Sequence, residues 1–333
     1  MTATARSLMP ALTAILMFAA TVIAGWPVTA RAAAPADAPW GASYFPNVPL
    51  ITQDGKKVRF FDDLIKGKVV AINFIFTGCS EACSMETARL REVQDLLGDR
   101  MGKDIFFVSI SIDPDNDTPE ALKHYAEKFK VGPGWTFLTG KFDDIALLRD
   151  KLGLNIPPVV NGKSDHDLSL IVGNQATGRW MKASPFENPQ ILATTIGSWL
   201  HNWKVIPANK NDTYANAPTR VPELSRGEEL YRTRCASCHS IGAPANSLAA
   251  LRAIGPDLAG VAQQRDRAWL TRFLKEPDRM LAEKDPLATA LFLKYNKLAM
   301  PNLRLNDKDV AHLLTFLEGH GAPPAPEKKV ARQ

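Results

Sequence analysis

The stretch Phe74-Ile-Phe-Thr-Gly-Cys79-Ser-Glu-Ala-Cys83-Ser84 decides how the first half of this chain folds. It closes the apolar run Val69-Val-Ala-Ile-Asn-Phe-Ile-Phe76, whose near-continuity is that of a central strand buried on both faces. Thr77-Gly78 turns the chain, and Glu86–Leu97 carries Leu90, Val93 and Leu97 at helical spacing with polar residues between them. Cys79 and Cys83, four apart at the start of that helix, place two thiols on one face, one turn apart. Helix N-terminal amides favour the thiolate there, the form that both metal binding and disulfide exchange require. A structural disulfide or two inert core cysteines use the same spacing, so the motif alone leaves these readings open.

Working outward, Val48–Thr52 and Val58–Phe61 flank Asp54-Gly55, a hairpin by pattern. Ile105–Ile112 predicts a second buried strand ending at Asp113-Pro114. Thr118 caps a helix that has Pro119 at its first position. Trp135–Leu138 predicts a third strand and Phe142–Leu152 a helix. Leu168–Val172 and Gly178–Lys182 form a late hairpin, and Pro189–Trp203 a closing helix. This β-α-β-α-β-α-β-β-α order is the α/β thioredoxin-like plan, a mixed sheet flanked by helices over residues 45–203. Residues 204–224 hold Pro207, Pro218 and Pro222 with little periodicity and read as a linker. From Ser225 only helical periodicity remains, giving a second, all-α domain over 225–320 and a Pro/Lys-rich tail over 321–333.

Forty Lys+Arg against 35 Asp+Glu give a net charge of +5 over 333 residues, with no dense basic block. Nucleic acid is therefore excluded as a partner class. At the N-terminus Arg6 precedes a charge-free run, Ser7–Ala30, with its apolar heart at Leu12–Ala24 and a small-x-small site at Ala30-Arg31-Ala32. Residues 1–32 read as a signal peptide, with an uncleaved inner-membrane anchor as the alternative, and place the rest in the periplasm or outside the cell. Four cysteines in an oxidising compartment usually mean disulfides. Here both pairs are local with none left over, the pattern of two reactive sites.

The second pair is Cys235-Ala-Ser-Cys238-His239, the spacing for two thioether bonds to one haem c with His239 as the proximal ligand. A zinc site would need further ligands at suitable spacing.

Phe76-Thr-Gly-Cys79 with Cys83, Ser109-Ile-Ser-Ile-Asp113-Pro114 and Asp117-Thr-Pro-Glu120 resemble the Sco/SenC family over about residues 45–203. The resemblance implies a thioredoxin-like copper-binding or thiol-reducing protein of cytochrome oxidase assembly. It implies one copper ion on Cys79, Cys83 and His166, since Asp165-His166 stands where that family's third ligand does. Two thiolates and an imidazole suit Cu(I) and can hold Cu(II). The chain departs from the family at Ser80 and Ser84, where proline usually follows each cysteine. The loss removes a stiffening ring and adds a backbone donor near each sulfur. Asp113 and Asp117 read as a strand-end and helix-start acid pair and not as catalysts.

Residues 224–319 resemble class I cytochrome c. Gly227-Glu-Glu-Leu-Tyr231 matches its first helix, Gly255-Pro-Asp-Leu258 the segment backing the proximal histidine, and Asp307–Glu318 its closing helix. Asp266–Leu274 supplies a middle helix, with Trp269 expected near the haem. Ala299-Met300-Pro301 resembles the distal loop, which selects Met300 as the second axial ligand over Met280. Such His/Met ligation suits electron transfer. His124, His201, His312 and His320 read as solvated.

Together these features predict an exported electron-transfer protein or metallochaperone in which Cys79 and Cys83 act as redox thiols beside a tethered haem. Its partners would be the copper centre of cytochrome oxidase, assembly factors of that enzyme, or small redox proteins. A haem carries one electron and a disulfide needs two, so copper is the easier internal partner. The alternatives are a periplasmic thiol-disulfide oxidoreductase that exchanges electrons with its haem without copper, and a docking module carrying an active cytochrome.

Overall fold

The computed structural model describes residues 41, 43–79, 82–154, 169–200 and 224–320. The expected signal segment, His166, Ser80, His201, the linker up to 223 and the tail beyond 320 lie outside the described residues. Seven strands build the first half: β1 (Pro49–Thr52), β2 (Lys57–Arg59), β3 (Val69–Ile75), β4 (Ile105–Ser111), β5 (Trp135–Gly140), β6 (Leu170–Asn174) and β7 (Arg179–Ala183). They form one sheet in the order β2-β1-β5-β4-β3-β6-β7. β3 runs parallel to β4 and β4 to β5, while β6 and β7 join antiparallel and the β1-β2 hairpin pairs antiparallel with the far edge of β5.

All seven residues of β3 are buried, as its unbroken apolar run requires. Alternation splits them between two cores: Val69, Ala71 and Ile75 face one layer, and Val70, Ile72 and Phe74 the other. The first layer is roofed by α1 (Ala82–Leu97), which begins four residues before the expected Glu86 and so takes Cys83 into its first turn. α2 (Pro119–Lys128) starts as read, with Thr118 Oγ1 accepting from the Ala121 amide at 3.3 Å. α3 (Phe142–Lys151) and α4 (Pro189–Thr194) complete the flanks, α4 continuing in wider turns to Trp199. The fold is thioredoxin-like.

The second half is helical: α5 (Arg226–Leu230, continuing in wider turns to Cys235), α6 (Leu248–Arg252), α7 (Val261–Gln264), α8 (Arg267–Lys275), α9 (Pro277–Ala282), α10 (Pro286–Lys294) and α11 (Asp307–Glu318). α5 crosses α11 at Gly227, where a Cβ would sit 2.2 Å from the His312 carbonyl oxygen and 2.6 Å from Phe316 Cβ. Only glycine permits that approach. Leu230, Leu270, Leu274, Val310, Leu313 and Leu317 form the core between them. The described parts of both halves fall in one compact unit. Ile254 of the helical half is 6% exposed and belongs to the core layer beneath α1, and Cys238 and Leu298 pack against that layer.

Candidate redox sites

Cys79 ends the turn after β3, and a buried acid holds that turn. Asp117 is fully buried and accepts from the Thr77 amide at 3.1 Å, from Thr77 Oγ1 at 2.5 Å and from Ser111 Oγ at 2.5 Å. The sequence reading left Asp117 a helix-start acid. Its hydrogen-bonding capacity was visible, but the partners come from β4 and from a loop 40 residues away.

Cys79 is half-buried and Cys83 wholly buried. The Cys83 amide donates to Cys79 Sγ at 3.4 Å. The Cys83 thiol is pushed far above the ordinary range, first by its hydrogen bond to Cys79 and then by burial. The helix start by itself favours the thiolate at this pair. At Cys83 burial and the neighbouring sulfur outweigh the amide dipoles. The two sulfurs are therefore unequal, with Cys79 the accessible one. Rapid alkylation of the reduced protein is expected to be lost in Cys79→Ser, by about tenfold or more, and kept in Cys83→Ser. Equal labelling rates in the two variants would sink the assignment.

Beneath Cys83 runs a buried polar chain. Trp135 Nε1 donates to Ser109 Oγ at 2.8 Å, Ser109 Oγ to Asn73 Oδ1 at 2.6 Å, and Asn73 Nδ2 to Glu86 Oε1 at 2.9 Å. Asn73, a lone polar residue in an apolar run, was the sequence signal for it. Tyr125, on α2, donates its hydroxyl to the Cys83 carbonyl at 3.3 Å and sits 2.8 Å from Thr87 Oγ1. Among the described residues no three metal-ligating side chains cluster. Cys79 and Cys83 come together, and His166 lies outside the described residues. Two adjacent sulfurs fit a soft cation.

In the helical half, His239 Nδ1 lies 2.8 Å from the Pro256 carbonyl oxygen. A carbonyl only accepts, so Nδ1 carries the proton and Nε2 keeps its lone pair for a metal. Burial lowers the His239 pKa, against the raising effect of that hydrogen bond, and keeps the ring neutral. Gly255 backs the ring so closely that a Cβ would lie 2.5 Å from His239 Cε1. Asp257 fastens the same segment, accepting from Ser240 Oγ at 2.6 Å and from the Gly242 and Ala259 amides at 3.0 and 2.9 Å. Burial would raise the Asp257 pKa, but these bonds outweigh it and hold the carboxyl below its ordinary value. The Cys235 and Cys238 thiols are pushed up to about 12 by burial and stay neutral.

Cys238, His239 and Met300 line one largely apolar cavity of about 720 Å³, measured out to its open mouth, together with Phe273, Phe292 and Tyr295. A neutral imidazole, a thioether sulfur and the Cys238 thiol on apolar walls, with Cys235 three residues before Cys238, fit a covalent haem. Met280 is 1% exposed and lies in the wall behind its neighbours Pro277 and Leu281, which do reach the cavity. Trp269 departs from expectation. It is half-buried outside the cavity lining, stacked on Phe273 at 4.7 Å and donating to Asp285 at 3.2 Å, so Phe273 takes the place expected of it. His124, His312 and His320 are exposed, as read. The sheet half also contributes to this cavity, through Ser84 and Phe129.

Residues 42–200 match the model of the SCO1/SenC family, and residues 224–320 that of the cytochrome c family. The SCO1 protein homolog of Bacillus subtilis is 38% identical over 89 residues, 26% of this chain and 45% of that protein. The SCO2-like protein RC0895 of Rickettsia conorii is 37% identical over 102 residues, 31% of this chain and 47% of that protein. The chain thus spans about half the length of these curated relatives. The crystal structure of a SCO1/SenC family lipoprotein from Bacillus anthracis is 30% identical, covering 46% of this chain and 92% of that one with a TM-score of 0.41.

Proposed function

Because residues 42–200 belong to the SCO1/SenC family and residues 224–320 to the cytochrome c family, we propose that the chain is an exported redox protein serving copper delivery to, or assembly of, a cytochrome oxidase. Copper is the cargo, taken up by Cys79 and Cys83 with His166 as third ligand. Cys235 and Cys238 would attach one haem, and His239 and Met300 would hold its iron. Haem held by His and Met supplies a one-electron couple of raised potential. The protein's own groups set the rest. The Pro256 carbonyl fixes the His239 ring, Asp257 fixes the loop that carries that carbonyl, and Asp117 fixes the turn that carries Cys79.

The observation that carries the reading is the joining, in one compact unit, of an accessible-plus-buried thiol pair and a His239/Met300 cavity. The matching test is an anaerobic Cu(II) titration of the reduced, haem-loaded protein, followed in the haem spectrum. Haem oxidation that saturates at one copper per protein, and is lost in His166→Ala, is the expected result. Haem that ignores copper, with turnover on a disulfide substrate untouched in His166→Ala, would replace this reading with that of a copper-independent thiol-disulfide oxidoreductase. The hydrogen bond between the two cysteines favours that second reading, because it holds both sulfurs at the start of one helix with only one of them accessible.

A further inference from the structure

The polar face of α1 points into the protein. Arg89 and Arg91 are 6% and 4% exposed, although nothing in the sheet half requires them to be covered. Arg89 Nη2 donates at 2.8 Å to the carbonyl of Thr233, in the last turn before Cys235. Arg91 pairs at 3.2 Å with Asp95, whose carboxylate also binds Arg252 of α6 at 2.9 Å. Lys130, just past α2, donates to the Leu251 and Ala253 carbonyls at the end of α6, at 2.9 and 2.7 Å. Lys128 reaches the Lys297 carbonyl beyond α10 at 3.4 Å.

Arg89, Lys128 and Lys130 of the sheet half donate to backbone carbonyls of the helical half, those at the end of α6 among them, and Asp95 adds a charge pair with Arg252. Isolated surface ion pairs would hold little. Here two of the arginines are buried, so leaving their guanidinium groups unpaired would carry the full cost of a desolvated charge. Apolar contact reinforces the seam, since Ile254 and Leu298 pack into the layer under α1.

The seam also closes the haem-type cavity. Ser84, next to Cys83, and the fully buried Phe129 line it with Cys238, His239 and Met300. Phe129 packs with its ring tilted 45° and 4.7 Å from Tyr125, whose hydroxyl holds the Cys83 carbonyl.

We infer that the thioredoxin-like half is the haem's built-in docking partner, latched by Lys130 and by the Asp95–Arg252 pair so that the helix of Cys83 supplies part of the cavity wall through Ser84. The inference rests on the proposed function for what passes across the seam. When loaded, the haem would supply one electron and copper at the thiols would take it up, a one-for-one exchange. External carriers are kept from this face while the latch holds.

The test uses the full-length, haem-loaded chain and the double variant R252E/K130E, which sets acids against Asp95 and against two carbonyls. Both substituted side chains lie at the protein surface, so each half keeps its own core. X-ray scattering of the native chain is expected to give a single compact particle, and the double variant a larger radius of gyration. With Cu(II) as probe, the copper-independent first-order phase of haem oxidation is expected to slow roughly tenfold or more, because the halves then meet only by tethered diffusion. Reduction of the haem by a protein-sized external donor should speed up. An extended native particle, a double variant as compact as the native chain, or an unchanged first-order phase in an expanded variant would each overturn the inference. If native haem ignores Cu(II) altogether, the copper reading and the electron-transfer role of the seam fall together, while the scattering still reports the docking on its own.

Discussion

Gly255→Ala is expected to detach His239 from its post and to cost the protein its native haem spectrum. The added methyl would meet His239 Cε1 at 2.5 Å and Nδ1 at 2.8 Å. The ring cannot retreat without breaking its hydrogen bond to Pro256, because the Cys238 carbonyl already accepts from the Ile254 and Gly255 amides at 3.1 and 2.8 Å and holds the two segments together. Overpacking of this kind costs about 1–3 kcal/mol, and here the strain falls on an axial ligand. Absorption spectra of the purified variant should show loss of the His/Met low-spin bands, and its melting temperature should drop. A variant with native bands and native melting would show that the Gly255 contact positions nothing.

Asp117→Ala is the second large effect, and it falls on the other site. The substitution leaves the Thr77 amide, the Thr77 hydroxyl and the Ser111 hydroxyl without their acceptor in a fully buried position. At about 1–3 kcal/mol for each orphaned group, partly relieved by water entry, the expected loss is roughly 3–5 kcal/mol. The turn that presents Cys79 should loosen with it, so copper binding and selective Cys79 alkylation should both decline. Chemical denaturation of Asp117→Ala beside Asp113→Ala separates the two acids. Asp113 makes its side-chain contacts to Asn116 at the surface and should matter far less. Equal losses from the two substitutions would sink the clamp.

Much of the fold was legible because burial writes itself into residue order. The apolar run of β3 required a strand covered on both faces, and the structure covers it so. Thr118-Pro119 required a helix start and obtains one. The Cys-x-x-Cys-His spacing and the Gly255-Pro256 segment announced their neighbourhood because both are local. Where reasoning from local pattern fell short, distant partners made the difference. Trp269 was expected at the cavity, but a tryptophan on an amphipathic helix can pack on either side of its stripe, and the packing chose Phe273. The thiolate expected at Cys83 gave way to burial and to its neighbour's sulfur, quantities that no spacing encodes.

By itself, then, the sequence determined two chemistries and the kind of fold that carries each, because ligand spacing, turn residues and apolar periodicity act over a few residues. Only the tertiary structure decided that Arg89, Arg91 and Asp95 on the polar face of α1 meet a second domain instead of water. A charged stripe on an amphipathic helix looks the same in either case, since charge is tolerated wherever it can be paired. The pairing partners here are backbone carbonyls and one arginine, more than 100 residues away along the chain. That choice sets Ser84, the residue after Cys83, at the wall of the haem-type cavity.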